Sequence, residues 1–122
     1  MKKFSIQEVK SKIQYDLIVE ADSNVKNYDI VEAIEVNFDG ALDERGVGKD
    51  DPCRHINIYK LDDCVQDMKK NCYIYRIHIQ NSATASSVVE DWKHQNNFDD
   101  LAFGNAIRDK LQVRIRAVKR LV

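Results

Sequence analysis

Apolar and polar positions alternate in several stretches of the chain. Tyr15, Leu17, Val19 and Ala21 are separated by Asp16, Ile18 and Glu20, the period of a strand with one buried face. Upstream, Ser5 is followed three residues on by Glu8. That is the spacing of a capping box, and it predicts a short helix over Ser5–Ile13. From Tyr28 to Phe38 the pattern admits two readings. As a strand, Tyr28, Ile30, Ile34, Val36 and Phe38 share a face interrupted by Glu32; as a helix, Ile30, Ala33, Ile34 and Val31 form an incomplete stripe. Val36-Asn37-Phe38 followed by Asp39-Gly40 resembles an extended segment entering a turn, so the expectation is a strand.

Residues 39–52 (DGALDERGVGKDDP) hold three of the four glycines and the only proline, which predicts a long loop. Two strands are expected after it. In Arg54–Leu61, Ile56 and Ile58 oppose His55, Asn57 and Tyr59. In Cys72–Gln80, Tyr73, Tyr75, Ile77 and Ile79 oppose Arg76, His78 and Gln80. Their short connector favours antiparallel pairing. Ser86 or Ser87 is placed to cap a helix through Val88, Val89 and Trp92, and a further helix is predicted from Phe98 to Lys110, with Asp99 and Asp100 at its favourable dipole end.

The ending also has two solutions. As a helix, Ile107, Leu111, Ile115, Val118 and Val122 fall within an arc of about 80° at about 100° per residue. As a strand, Leu111, Val113, Ile115 and Ala117 alternate with Gln112, Arg114 and Arg116. The β-branched residues favour the strand. The chain therefore reads as one α+β domain spanning residues 1–122. Its expected sheet is mainly antiparallel, with about four or five strands, a short N-terminal helix and one or two helices on one face. A long C-terminal amphipathic helix is the alternative to the last strand.

Composition narrows the class. The 122 residues are 43% hydrophobic and 32% charged, an ordinary balance for a globular domain of this length. No apolar run approaches the roughly 20 residues of a membrane span, and Gln7, Glu8 and Lys10 interrupt any leader-like segment after Lys2 and Lys3. The odd count of three cysteines, Cys53, Cys64 and Cys72, fits free thiols in a reducing, cytoplasmic setting without disulfides. The formal net charge is −1, yet residues 1–52 carry 7 basic and 12 acidic side chains, and residues 53–122 carry 12 and 8. Separated charge of this kind suits an anionic partner at one end, or attraction between the halves.

Few residue sets suggest chemistry. If the strands at 54–61, 72–80 and 111–117 share a sheet, its polar face displays His55, Asn57, Tyr59, Arg76, His78, Arg114 and Arg116. Arginines and an aromatic on such a face suit RNA or DNA, with Arg76, Arg114, Arg116 and Tyr59 as anion-binding candidates. His55 and His78 would be the acid and base of a metal-independent ribonuclease. Set against this, one face of an antiparallel sheet is commonly polar because it meets water, and the clustered aromatics of RNA-recognition sheets are absent. Cys53, His55, Cys64 and Cys72 lack the paired spacing of structural zinc ligands. Gly46-Val47-Gly48-Lys49 is followed by Asp50-Asp51-Pro52, which would repel phosphate where a phosphate loop needs Ser or Thr and a helix. The segment NSATASS fits an ordinary helix cap, and no nucleophile motif is present.

No metal or cofactor is expected. The leading expectation is a small non-enzymatic protein that binds a protein partner, in an accessory, inhibitor or immunity-type role. Its acidic half (Glu8, Asp16, Glu20, Asp22, Glu32, Glu35) would meet a basic partner, or its basic end would instead serve self-association. Nucleic-acid binding through the arginine-bearing face is the competing expectation.

Overall fold

The computed structural model describes residues 12–21, 25–63, 71–94 and 113–121, with the backbone alone at residues 62, 63, 71, 114 and 116. The fold is α+β, with four antiparallel strands and two helices on one face among the described residues. The strands are β1 (Lys12–Ala21), β2 (Asn57–Asp63), β3 (Asn71–Gln80) and β4 (Val113–Arg120), in the order β2-β3-β1-β4. The helices are α1 (Asn27–Glu44) and α2 (Ala83–His94). Residues 5–11 of the expected first helix and the expected helix at 98–110 lie outside the described residues. Lys12 and Ile13, expected to end that first helix, instead begin β1. Residues 113–120 form a strand, as the β-branched alternation indicates, so the long C-terminal helix is excluded.

β1 occupies the interior of the sheet, pairing with β3 on one side and β4 on the other. Its alternation accounts for this position. Ile13, Tyr15, Leu17, Val19 and Ala21 are buried on the helical side, where they meet Tyr75, Ile77 and Ile79 of β3 and Val113 and Ile115 of β4 in one core. Each edge strand carries an irregularity: Leu61 is extra in β2 and Arg116 is extra in β4. Bulges in edge strands interrupt the row of unpaired backbone groups that would otherwise recruit another strand.

The expected strand at Tyr28–Phe38 is instead part of the 18-residue helix α1. Its buried side chains are Ile30, Ala33, Ile34, Phe38 and Leu42, a helical stripe whose last member lay within the presumed loop. A strand would have buried Tyr28 and Val36, yet these are 64% and 50% exposed. Asp29 supports the helix start by accepting from the Lys26 backbone N–H at 3.3 Å.

The helix also runs through Gly40 to Glu44, shortening the expected 39–52 loop to the turns around residues 45–51. It ends in a Schellman arrangement, with Val47 N–H donating to the Leu42 carbonyl and Gly46 N–H to that of Asp43, each at 3.0 Å. Gly46, at φ 76°, supplies the left-handed residue that this closure needs. Its structural role accounts for the glycine that resembled part of a phosphate loop.

α2 begins earlier than Ser86 or Ser87. Ser82 is its cap, with Oγ accepting from Ala85 N–H at 3.0 Å. Ala85, Val88, Val89 and Trp92 then form the buried stripe. Trp92 meets Phe38 of α1 edge to face, with centroids 6.3 Å apart, a geometry that adds about 0.5–1.5 kcal/mol beyond area burial. Two core tyrosines tie the sheet to the helices. Tyr15 OH donates to Glu90 Oε1 at 3.4 Å, and Tyr75 OH donates to Asn27 Oδ1. No helix among the described residues is long and apolar enough to cross a membrane. Neither Cys53 nor Cys72 is in a disulfide.

Candidate functional site

The sheet face opposite the two helices brings together part of the set singled out in the sequence. Antiparallel register aligns Asn57 with His78 and Tyr59 with Arg76. Tyr59 OH lies 3.0 Å from His78 Nε2, and their rings are 5.5 Å apart. Burial first, then the positive charges of Lys12 and Arg76, hold the His78 imidazole below its ordinary pKa. Burial and the neighbouring positive charges both favour neutral His78 near pH 7.

The anion-binding reading loses support at Arg76. β1 sets Asp16 directly opposite it. Arg76 Nε donates to Asp16 Oδ1 at 2.8 Å and Nη2 to Oδ2 at 3.1 Å. Hydrogen bonding to Asp16 is the main reason that the Arg76 pKa is raised. The guanidinium is thus occupied by a two-point ion pair, which a phosphate would have to displace. Asp16 registers on its other side with Lys119, giving the row Tyr59, Arg76, Asp16, Lys119 across four strands.

Of the remaining candidates, Tyr59 lies in register with Arg76, whereas the backbone positions of Arg114 and Arg116 lie away from it. Arg114 pairs in register with Glu20, and Arg116 is the extra residue of the β4 bulge. Because β1 intervenes, the backbone of Arg114 is displaced from that of Arg76 by about 10 Å across the sheet and about 13 Å along it. His55 precedes β2 and is exposed. It lines a groove against α1, whereas His78 lies on the face opposite the helices. Among the described residues, no hydrogen bond or ring contact joins the two histidines.

The helical course of α1 creates a second surface. Its sequence, NYDIVEAIEVNFDGALDE, holds the acids Asp29, Glu32, Glu35, Asp39, Asp43 and Glu44 and no basic residue. At about 100° per residue, the first five acids and the exposed Tyr28 and Val36 share an arc of about 120°. Read as a strand, the same acids would have been divided between faces. As a helix, they form one acidic face with two exposed apolar side chains.

Arg54 organises one end of this face. It is the last residue of the 3₁₀ turn Pro52–Arg54, whose start is fixed by Cys53 N–H donating to Asp51 Oδ1 at 2.9 Å. That bond holds the Asp51 carboxyl below its usual range, while burial pushes the Cys53 thiol up. The Arg54 side chain is 8% exposed. It donates to the Gly48 carbonyl at 2.9 Å, the Val47 carbonyl at 2.6 Å and the carboxylates of Asp39 and Asp43. Among the described residues, Glu32 and Glu35 have no ion-pair partner.

Between α1 and the segment leading into β2 lies a groove of about 330 Å³. Glu35, Val36, Phe38 and Asp39 line it from the helix, and Arg54, His55 and Ile56 from the other side. No described group of three or more His, Cys, Asp or Glu residues converges as metal ligands. The chain matches no family model, no curated protein and no solved structure.

Proposed function

We propose that this chain is a small non-enzymatic binding protein that engages a basic protein partner through the outer face of α1. The observation that carries this reading is the concentration of six acids and no bases in one helix, with Tyr28 and Val36 exposed among them. Such a face is unfavourable within the helix itself. Like charges three or four residues apart repel, here Asp29 with Glu32, Glu32 with Glu35, and Glu35 with Asp39. Asp43 and Glu44 also occupy the last turn, the negative end of the helix dipole, and that turn contains no basic side chain. Arg54 relieves the Asp39 and Asp43 end; Glu32 and Glu35 retain their repulsion. A cationic protein surface would relieve it, while Tyr28 and Val36 supply apolar contact within a charged rim.

This arrangement suits an accessory, inhibitor or immunity-type role. Nucleic acid is disfavoured as the partner because α1 would repel phosphate and Arg76 is held by Asp16. The purified protein should produce no mobility shift with a pool of RNA and DNA oligonucleotides at low salt. Used as bait in lysate of its native cells, it should retain a protein after nuclease treatment. A bait that retains nucleic acid alone, or loses every protein on nuclease treatment, contradicts the proposal.

A further inference from the structure

We infer that the groove between α1 and residues 54–56 is the anchor of this docking face and receives an arginine side chain from the partner. This inference deepens the reading of α1 as the contact surface and depends on it. The groove combines the two chemistries that an arginine presents. Val36, half exposed, and Ile56, half buried, offer apolar walls to its aliphatic stem. Glu35 offers its carboxylate to the guanidinium, and Asp39, whose Oδ1 is bonded to Arg54, adds negative charge beside it.

Charge complementarity selects a cation. Among the described lining residues, Arg54 is the only Lys or Arg, and its guanidinium is engaged by Asp39, Asp43 and the Gly48 and Val47 carbonyls. Those bonds hold the far wall of the groove in place, so the site is formed before the guest arrives. Glu35 has no ion-pair partner among the described residues and remains available to the guest. His55 is exposed at the opposite wall, where an imidazole ring offers a flat surface to a planar guanidinium. A volume of about 330 Å³ accommodates one arginine with part of its flanking backbone, which fits presentation on a partner loop.

The test uses the isotope-labelled intact protein and three small probes: acetyl-arginine amide, acetyl-norleucine amide and acetyl-glutamate. Titration of the arginine probe, followed by amide chemical shifts, should produce saturable changes confined to residues 35–39 and 54–56. Norleucine amide should bind more weakly and acetyl-glutamate not at all. Glu35→Gln should weaken the arginine probe by about threefold, as expected for one partly exposed ion pair. Equal binding of the norleucine probe, shifts spread along the whole of α1, or shifts at Arg76 and His78 would each overturn the inference. So would the absence of saturable shifts. If the groove fails this test while a protein partner still depends on Glu32 and Glu35, the docking face stands and only its anchor is lost.

Discussion

His78 and Arg76 show how a neighbouring strand changes the meaning of a residue. Their alternation with Tyr75, Ile77 and Ile79 was legible in the sequence, as was the pairing of their strand with the one carrying Tyr59. Asp16 was equally visible as a polar position in its own alternating strand. Nothing in a periodic pattern specifies which strands become neighbours, so the Asp16–Arg76 pair could not be read from it. The pair is partly exposed, at 17% and 29% for the two side chains, and its geometry is bidentate. A double-mutant cycle with Asp16→Asn and Arg76→Gln, measured by urea denaturation, should give a coupling of about 1 kcal/mol; additive effects would remove the ion pair as a contributor. At His78 the folded protein disfavours the proton more than the unfolded chain does. The unfolded state therefore binds more protons as pH falls below the ordinary histidine pKa of about 6.5. This contribution to stability is intact above that pH and is lost towards the lower folded pKa. The urea midpoint should consequently fall less between pH 7 and pH 5 in His78→Gln than in the unmodified protein.

Among the elements, α1 departs most from the sequence expectation, and the reason is local. Ile30, Ile34 and Phe38 satisfy period two almost as well as a helical stripe, and Gly40 resembles the end of a segment. Ala33 and Leu42 were the discriminating residues, together with Gly46 as the terminator, but these were divided between a presumed strand and a presumed loop. The four strands were more legible because Val, Ile and Tyr alternate with charged residues along them. Two glycines test the revised boundary in opposite directions. A Cβ at Gly40 meets nothing within 4 Å, so Gly40→Ala should stabilise by about 0.5–1 kcal/mol through helix propensity. Gly46 also has open space around it, but its φ is 76°. Gly46→Ala should therefore destabilise by about 1 kcal/mol. Equal effects at the two sites, measured by chemical denaturation, would contradict the helix end described here.

On the scale of the whole molecule, the described acids of the N-terminal half lie on both sides of the sheet, Asp16 in the strand row with Arg76 and six along α1. The arginine-bearing sheet is partly neutralised by Asp16 of the central strand, while α1 concentrates acids beyond what Arg54 offsets. If that concentration is kept for binding, relieving it should not cost stability. Glu32→Lys combined with Glu35→Lys should leave the protein as stable or raise its stability by about 0.5 kcal/mol, because the pairs with Asp29 and Asp39 become attractive while the pair between positions 32 and 35 stays like-charged. The most direct test compares three baits in native lysate: the unmodified protein, the Glu32→Lys/Glu35→Lys variant, and an Arg76→Gln/Lys119→Gln variant altered on the opposite sheet face. Quantitative mass spectrometry should find a basic protein partner that is depleted at least tenfold, about 1.4 kcal/mol, on the α1 variant and retained on the sheet variant. A partner indifferent to the reversal on α1, or lost only with the sheet residues, would contradict the assignment of α1 as the binding face.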